Sequence, residues 1–283
     1  MRRFRRLLAA AVLPWLLVVA GCVSISERLA GSLSGAMQRQ TDIETVRDGA
    51  PAYLLMIDGL IDGDPENSQL LLSGARLYGS YATAFVDDEE RVRRLAGRAR
   101  DYAGRALCIE LPDICASVGL RFDEYTQVLQ GVDADEAWVL FGYGVAWAGW
   151  LQANSSDWNA ISDIPKVRAT MQRVVELDGQ HEEGTAYLYL GVLATLLPPT
   201  MGGEPEQGRA YFERAIEISQ DRNLMAYVLF AKHYARLVFD RELHDKLLEE
   251  VVKREIERDE YALSNTLAKT QARALLASGD DYF

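Results

Sequence analysis

The chain has 283 residues, 42 acidic and 30 basic, for a formal charge of −12 at pH 7, and 49% of it is apolar. That apolar fraction is ample for a buried core, and the negative charge excludes nucleic acid as a partner. The three histidines, His181, His233 and His244, are scattered, and none lies close in sequence to Cys108 or Cys115, so no zinc-type ligand spacing is present.

Arg2, Arg3, Arg5 and Arg6 open the chain, and an apolar run broken only by Pro14 follows from Leu7 to Ala20. A basic start before such a run is a secretory signal, too short for an ordinary membrane span. The run ends in Val19, Ala20, Gly21 and Cys22. Small residues before a cysteine resemble a bacterial lipobox, with residues 1–21 as the signal peptide and Cys22 as the lipidated N-terminus; an ordinary signal with an incidental cysteine is the alternative. Each buried methylene of an acyl chain contributes about 0.8 kcal/mol, so two or more chains tether a protein stably without a span. Val23, where an aspartate would favour retention at the inner membrane, tips the expectation toward an outer-membrane, periplasm-facing lipoprotein. Cleavage leaves 26 basic residues against 42 acids, a net charge of −16.

Residues 22–283 form the body, one repeat domain in the reading that follows. Ile25, Leu29, Leu33 and Met37 predict an amphipathic helix from Ser24 to Gln40, directly after the lipid. A second helix is expected from about Ala52 to Ile61, ending at the turn-rich Asp62 to Asn67. A third, from about Glu66 to Val86, carries Leu70, Gly74 and Leu77 and is answered by Ala99, Ala103 and Ala106. The acids from Asp87 to Glu90 suit a helix start, where negative charge complements the helix dipole, or else an acidic docking surface. Cys108 and Cys115 bracket Ile109 to Ile114 with Pro112 between them. In an oxidising envelope two cysteines closing so short a loop are a candidate disulfide, the rival being two buried thiols.

Three stripes then recur. Trp138, Phe141, Gly142 and Val145 form the first, Tyr187, Leu190, Gly191 and Ala194 the second, and Tyr227, Phe230, Ala231 and Tyr234 the third. Offsets of three, four and seven share one helix face, and the small residue in each lets a second helix approach closely. Val167, Met171 and Val174 answer the first, Gly208, Phe212 and Ala215 the second, and Leu243, Leu247 and Glu250 the third. This is the two-helix pattern of tetratricopeptide-like hairpins, which bury their apolar faces by stacking. The stripes start 49 and then 40 residues apart, against roughly 34 for an uninserted repeat. Insertions therefore fall at Asn154 to Pro165 and Leu197 to Glu206, and a last helix from about Glu260 to Ala277 would cap an all-α superhelical stack. No strand pattern of useful length appears.

The densest chemistry lies between Trp138 and Trp150, where Phe141, Tyr143 and Trp147 alternate with Gly142, Gly144 and Gly149. Each helical glycine costs roughly 0.8–1 kcal/mol relative to alanine, which implies close approach by a helix or a ligand. Trp138 and Phe141 belong to the packing stripe. Tyr143, Trp147 and Trp150 lie beside it and are candidates to line a ligand cavity, as is His233, between the third-stripe residues Phe230 and Tyr234. Gly202 and Gly203 lack the lysine and spacing of a phosphate loop and read as a turn. Asp62, Asp64 and Glu66 lack the glycine and glutamate that a calcium loop needs. No catalytic set of Ser, His and Asp and no paired acids can be assembled, so neither an enzyme nor a cofactor is expected.

The run Leu197, Pro198, Pro199, Thr200, Met201, Gly202, Gly203, Glu204, Pro205, followed by Tyr211, Phe212, Glu213, Arg214, Ala215 and Ile216, resembles the TatT family, the T component associated with tripartite ATP-independent periplasmic (TRAP) transporters. Trp147, Ala148 and the lipobox fit the same family. The resemblance implies an all-helical lipoprotein, a homotrimer with a cavity or pore through each subunit. It further implies partnership with the periplasmic solute-binding protein of the transporter, with relay of an apolar or organic-acid ligand. The alternative is a tetratricopeptide scaffold lipoprotein for envelope assembly, with no small-molecule role.

Overall fold

The computed structural model describes residues 30–283, and every regular element among them is helical. The signal segment, Cys22 and residues 24–29 of the first expected helix lie outside the described residues. Residues 30–38 are helical (α1), followed by α2 (Ile43–Gly63), α3 (Ser68–Phe85) and α4 (Glu89–Glu110). A small hairpin, α5 (Pro112–Ser117) and α6 (Phe122–Leu129), leads into α7 (Ala137–Ala153). Next come α8 (Trp158–Ile161), α9 (Ile164–Asp178), α10 (Thr185–Ala194), α11 (Pro205–Ile218), α12 (Leu224–Leu229), α13 (Arg241–Lys253), α14 (Ala262–Ala277) and α15 (Gly279–Tyr282).

Helix starts follow their caps. Asp42, Asn67, Asp88, Asp157 and Asp240 each accept backbone N–H bonds at an N-terminus, satisfying donors that have no partner within the helix. Pro112 and Pro205 are the first residues of α5 and α11, where the missing N–H is no loss. The acids from Asp87 to Glu90 are therefore a helix start: Asp88 is the cap, and Glu89 and Glu90 fill the first turn.

Two boundaries differ from expectation. α2 begins nine residues before Ala52, with Pro51 inside it. The Asp42 cap and the buried Val46, Ala50, Tyr53, Leu54, Ile57 and Ile61 outweigh the backbone bond that proline forfeits. The third stripe starts on α12 but continues as a π-helical segment, Phe230–Ala235. Phe230, Ala231 and Tyr234 are nonetheless buried.

The helices pack mainly on their neighbours in sequence: α2 on α3, α3 on α4, α4 on α7, α7 on α9, α9 on α10, α10 on α11, α11 on α12 and α13 on α14. α14 also meets α2, which brings the two ends of the described chain together. α7 and α10 carry no charged residue on any face, as expected of helices covered on more than one side. The glycines of α7 explain how closely they are covered. A Cβ on Gly142 would come within 2.8 Å of Leu72 and one on Gly144 within 2.9 Å of Met171, whereas Gly149 faces open space.

The buried apolar residues form two clusters. The larger runs from α1 through α10 and centres on Trp147, Tyr125, Leu140 and Met171; the smaller runs from α10 through α14 around Phe212, Phe230 and Leu248. α10 serves both, Leu190 in the first and Leu188 in the second.

Candidate functional site

A groove of about 750 Å³ runs along α4 where α5 and α7 flank it. Its α4 side is opened by Gly97 and Gly104, Tyr143 and Trp150 come from α7, and Cys108 and Cys115 border its far end. The two cysteines are disulfide-bonded, with Cα atoms 4.9 Å apart, which ties the last turn of α4 to α5. Lys166 on α9 donates to the carbonyls of Val118 and Leu120 at 2.7 and 2.6 Å, holding the end of α5 beside the groove.

Arg100 is one of the lining side chains. Its guanidinium lies 4.1 Å from the ring centroid of Trp150 and 5.4 Å from that of Trp147, cation–π distances. Asp163 stands 3.7 Å from it and accepts the Trp147 indole N–H at 3.3 Å. Burial pushes the Tyr143 phenol up, while the Arg100 charge pulls against that shift.

Four of the residues singled out in the sequence thus meet at one place: Cys108, Cys115, Tyr143 and Trp150 all border the groove. Trp147 does not. It is fully buried, packed edge-on against Tyr125 of α6 at 6.1 Å and tilted against Tyr143 at 5.2 Å. It supports the floor from beneath and has no surface to offer a ligand. His233 is also elsewhere, on the π-helical segment. Burial, assisted by the adjacent Lys232 charge, pushes its imidazole down to about 4, so it is neutral near pH 7.

The sequence reading missed Arg100 and Asp163. Arg100 sits among six arginines of α4, and nothing in the sequence separates it from the solvated ones until α4 is paired with α7. Asp163 lies in the insertion between Asn154 and Pro165, immediately before α9. That insertion has a local role here: it delivers a carboxylate to the Arg100 and Trp147 pair. The second insertion folds into a 3₁₀ turn, Pro199–Met201, followed by Gly202 at φ +90°, a left-handed conformation suited to glycine. Glu204, just beyond it, is ion-paired with Arg168 of α9.

Among the described residues no helix is long and apolar enough to cross a membrane, and no cluster of three or more His, Cys, Asp or Glu could hold a metal ion. Fold and groove together define a protein whose described residues are all-helical, with an open, largely apolar flank where Arg100 lies over Trp150. The family model described as TRAP transporter T-component matches residues 39–283, and the chain belongs to that family. It is accordingly an accessory component associated with a TRAP transporter system, in a family not known as enzymatic. A comparison with curated proteins finds no match.

Proposed function

We propose that this T component is an envelope lipoprotein that docks the periplasmic solute-binding protein of its transporter and holds or relays an apolar or organic-acid ligand. The family match over residues 39–283 carries this reading. The lipobox ending in Cys22 supports a tether through N-terminal lipid, with the outer membrane favoured over the inner. The consecutive packing of helices from α2 to α14 is compatible with tetratricopeptide-like hairpins in one superhelical domain, and the family resemblance supports a homotrimer. The groove on α4, α5 and α7 is where the ligand part of the proposal has its strongest local support, because it combines apolar walls, aromatic faces and an arginine lying over one of them.

The test is co-purification of the full chain from envelope membranes with the solute-binding protein encoded beside it. A stoichiometric complex is expected. Absence of a complex, both with and without the transported solute, would overturn the docking reading. A neighbourhood of outer-membrane assembly genes, in place of receptor and permease genes, would favour a general scaffold.

A further inference from the structure

We propose that the groove takes a linear monocarboxylate with an apolar chain of about ten carbons, its carboxylate held by Arg100 and its chain lying toward Ile109 and Val118. This rests on the groove being a ligand site and is independent of receptor docking.

The recognition element is a guanidinium held against two indole rings. Stacking on Trp150 at 4.1 Å, with Trp147 at 5.4 Å, restrains the guanidinium of Arg100 in an otherwise apolar setting. An arginine presents five N–H donors in a fork that matches a carboxylate edge-on. The one ion partner of Arg100 among the described residues, Asp163, stands 3.7 Å from a single nitrogen, Nη2. The Tyr143 phenol also takes a side-chain hydrogen bond from Arg100; of the five N–H donors of the fork these two partners leave others for a second carboxylate, and the side chain is 26% exposed.

The tail follows from the rest of the lining. Nine residues of helix separate Arg100 from Ile109, an axial rise of about 13 Å that also carries them to opposite sides of α4, so a chain of about ten carbons would cross the face opened by Gly104 between them. Leu107, Ile109, Val118 and the disulfide supply apolar walls along that length, and Ile109 is 42% exposed at the far end. The other charged residues at the groove are Asp101 and Arg105, of opposite sign. Arg105 is engaged elsewhere, donating to the Pro65 carbonyl at 3.0 Å and lying over Tyr102. One available arginine specifies one carboxylate, hence a monoacid.

The experiment uses envelope vesicles carrying the full chain and two photoreactive probes of equal length, a diazirine-bearing decanoate and a diazirine-bearing decanol. Labelled peptides are mapped by mass spectrometry. The acid should label residues 97–118 and 143–150, and excess decanoate, but not excess decanol, should suppress that labelling. Arg100→Met should reduce it about tenfold or more, the loss expected for a charged hydrogen-bonding group. Arg94→Gln, on the same helix but outside the groove and ion-paired with Glu90, should leave it unchanged. Arg100→Lys, which keeps the charge without the fork, should fall between and shows that loss in Arg100→Met is not misfolding. Equal labelling by acid and alcohol, or an undiminished signal in Arg100→Met, would overturn the carboxylate assignment. Labelling confined to other helices would remove the groove as a ligand site. The receptor complex, measured in the same vesicles, reports the docking reading separately.

Discussion

The two apolar clusters of this protein meet on α10 but are finished differently. The first, from α1 to α10, leaves one flank open, where Trp150 and Arg100 face the groove above the buried Trp147. The second, from α10 to α14, is closed by polar ties across its ends. Arg222 pairs with Glu183 and Glu260, Tyr261 donates to Glu183, and Asn265 accepts the Leu224 N–H and donates to the Arg222 carbonyl. The contrast separates aromatics that hold helices together from aromatics that remain available. Phe212 and Phe230, stacked at 5.4 Å in the second region, are all packing, whereas the α7 aromatics divide between packing and surface.

The largest effects should come from the packing aromatics. Trp147→Ala removes a fully buried indole and is expected to cost about 3–5 kcal/mol in urea unfolding, and Phe212→Ala a similar amount. If the clusters unfold as one unit, both substitutions shift a single transition. Two transitions, each sensitive to one substitution, would show that α10 couples them weakly. Cys108→Ser should destabilise the first region by about 2 kcal/mol, since the disulfide closes a short loop, with no such change when both forms are compared under reducing conditions.

A smaller effect belongs to the second region. The folded His233 imidazole is held near 4, below its ordinary value of 6.5, so between those values the unfolded chain binds the extra proton. Stability must therefore be complete above about pH 6.5 and fall as the pH drops toward 4. His233→Gln should flatten that slope; an unchanged slope would place the titrating group elsewhere. A smaller stability change than for Trp147→Ala is expected for Trp150→Ala, about 1 kcal/mol, because the ring is only partly buried against the first cluster and over Arg100. The same substitution should sharply reduce ligand labelling, which is the behaviour that separates Trp150 from Trp147.

Much of this was legible in the sequence because helix packing has a period. The stripes located α7, α10 and α12, and their answering halves located α9, α11 and α13. Glycines at 142 and 144 signalled close approach, and Leu72 and Met171 are what approaches. Trp147 and Trp150 could not be told apart, since the difference is made by α6, whose Tyr125 covers Trp147 and bonds to Thr170 at 2.7 Å. The second helix is expected to start near Ala52, yet its Asp42 cap lies ten residues upstream. The π-helical turn over Phe230–Ala235 left no mark in the spacing. Arg100 and Asp163, 63 residues apart, became a pair only when α4, α7 and α9 were brought together.

The most direct test of the central claim, that the open flank of the first region is the ligand site, is hydrogen exchange of the full chain in envelope vesicles with and without decanoate. Slowed exchange in α4, α5 and α7, with α12 and α13 unchanged, is the predicted result. Slowing in α12 and α13, or none anywhere, would contradict it.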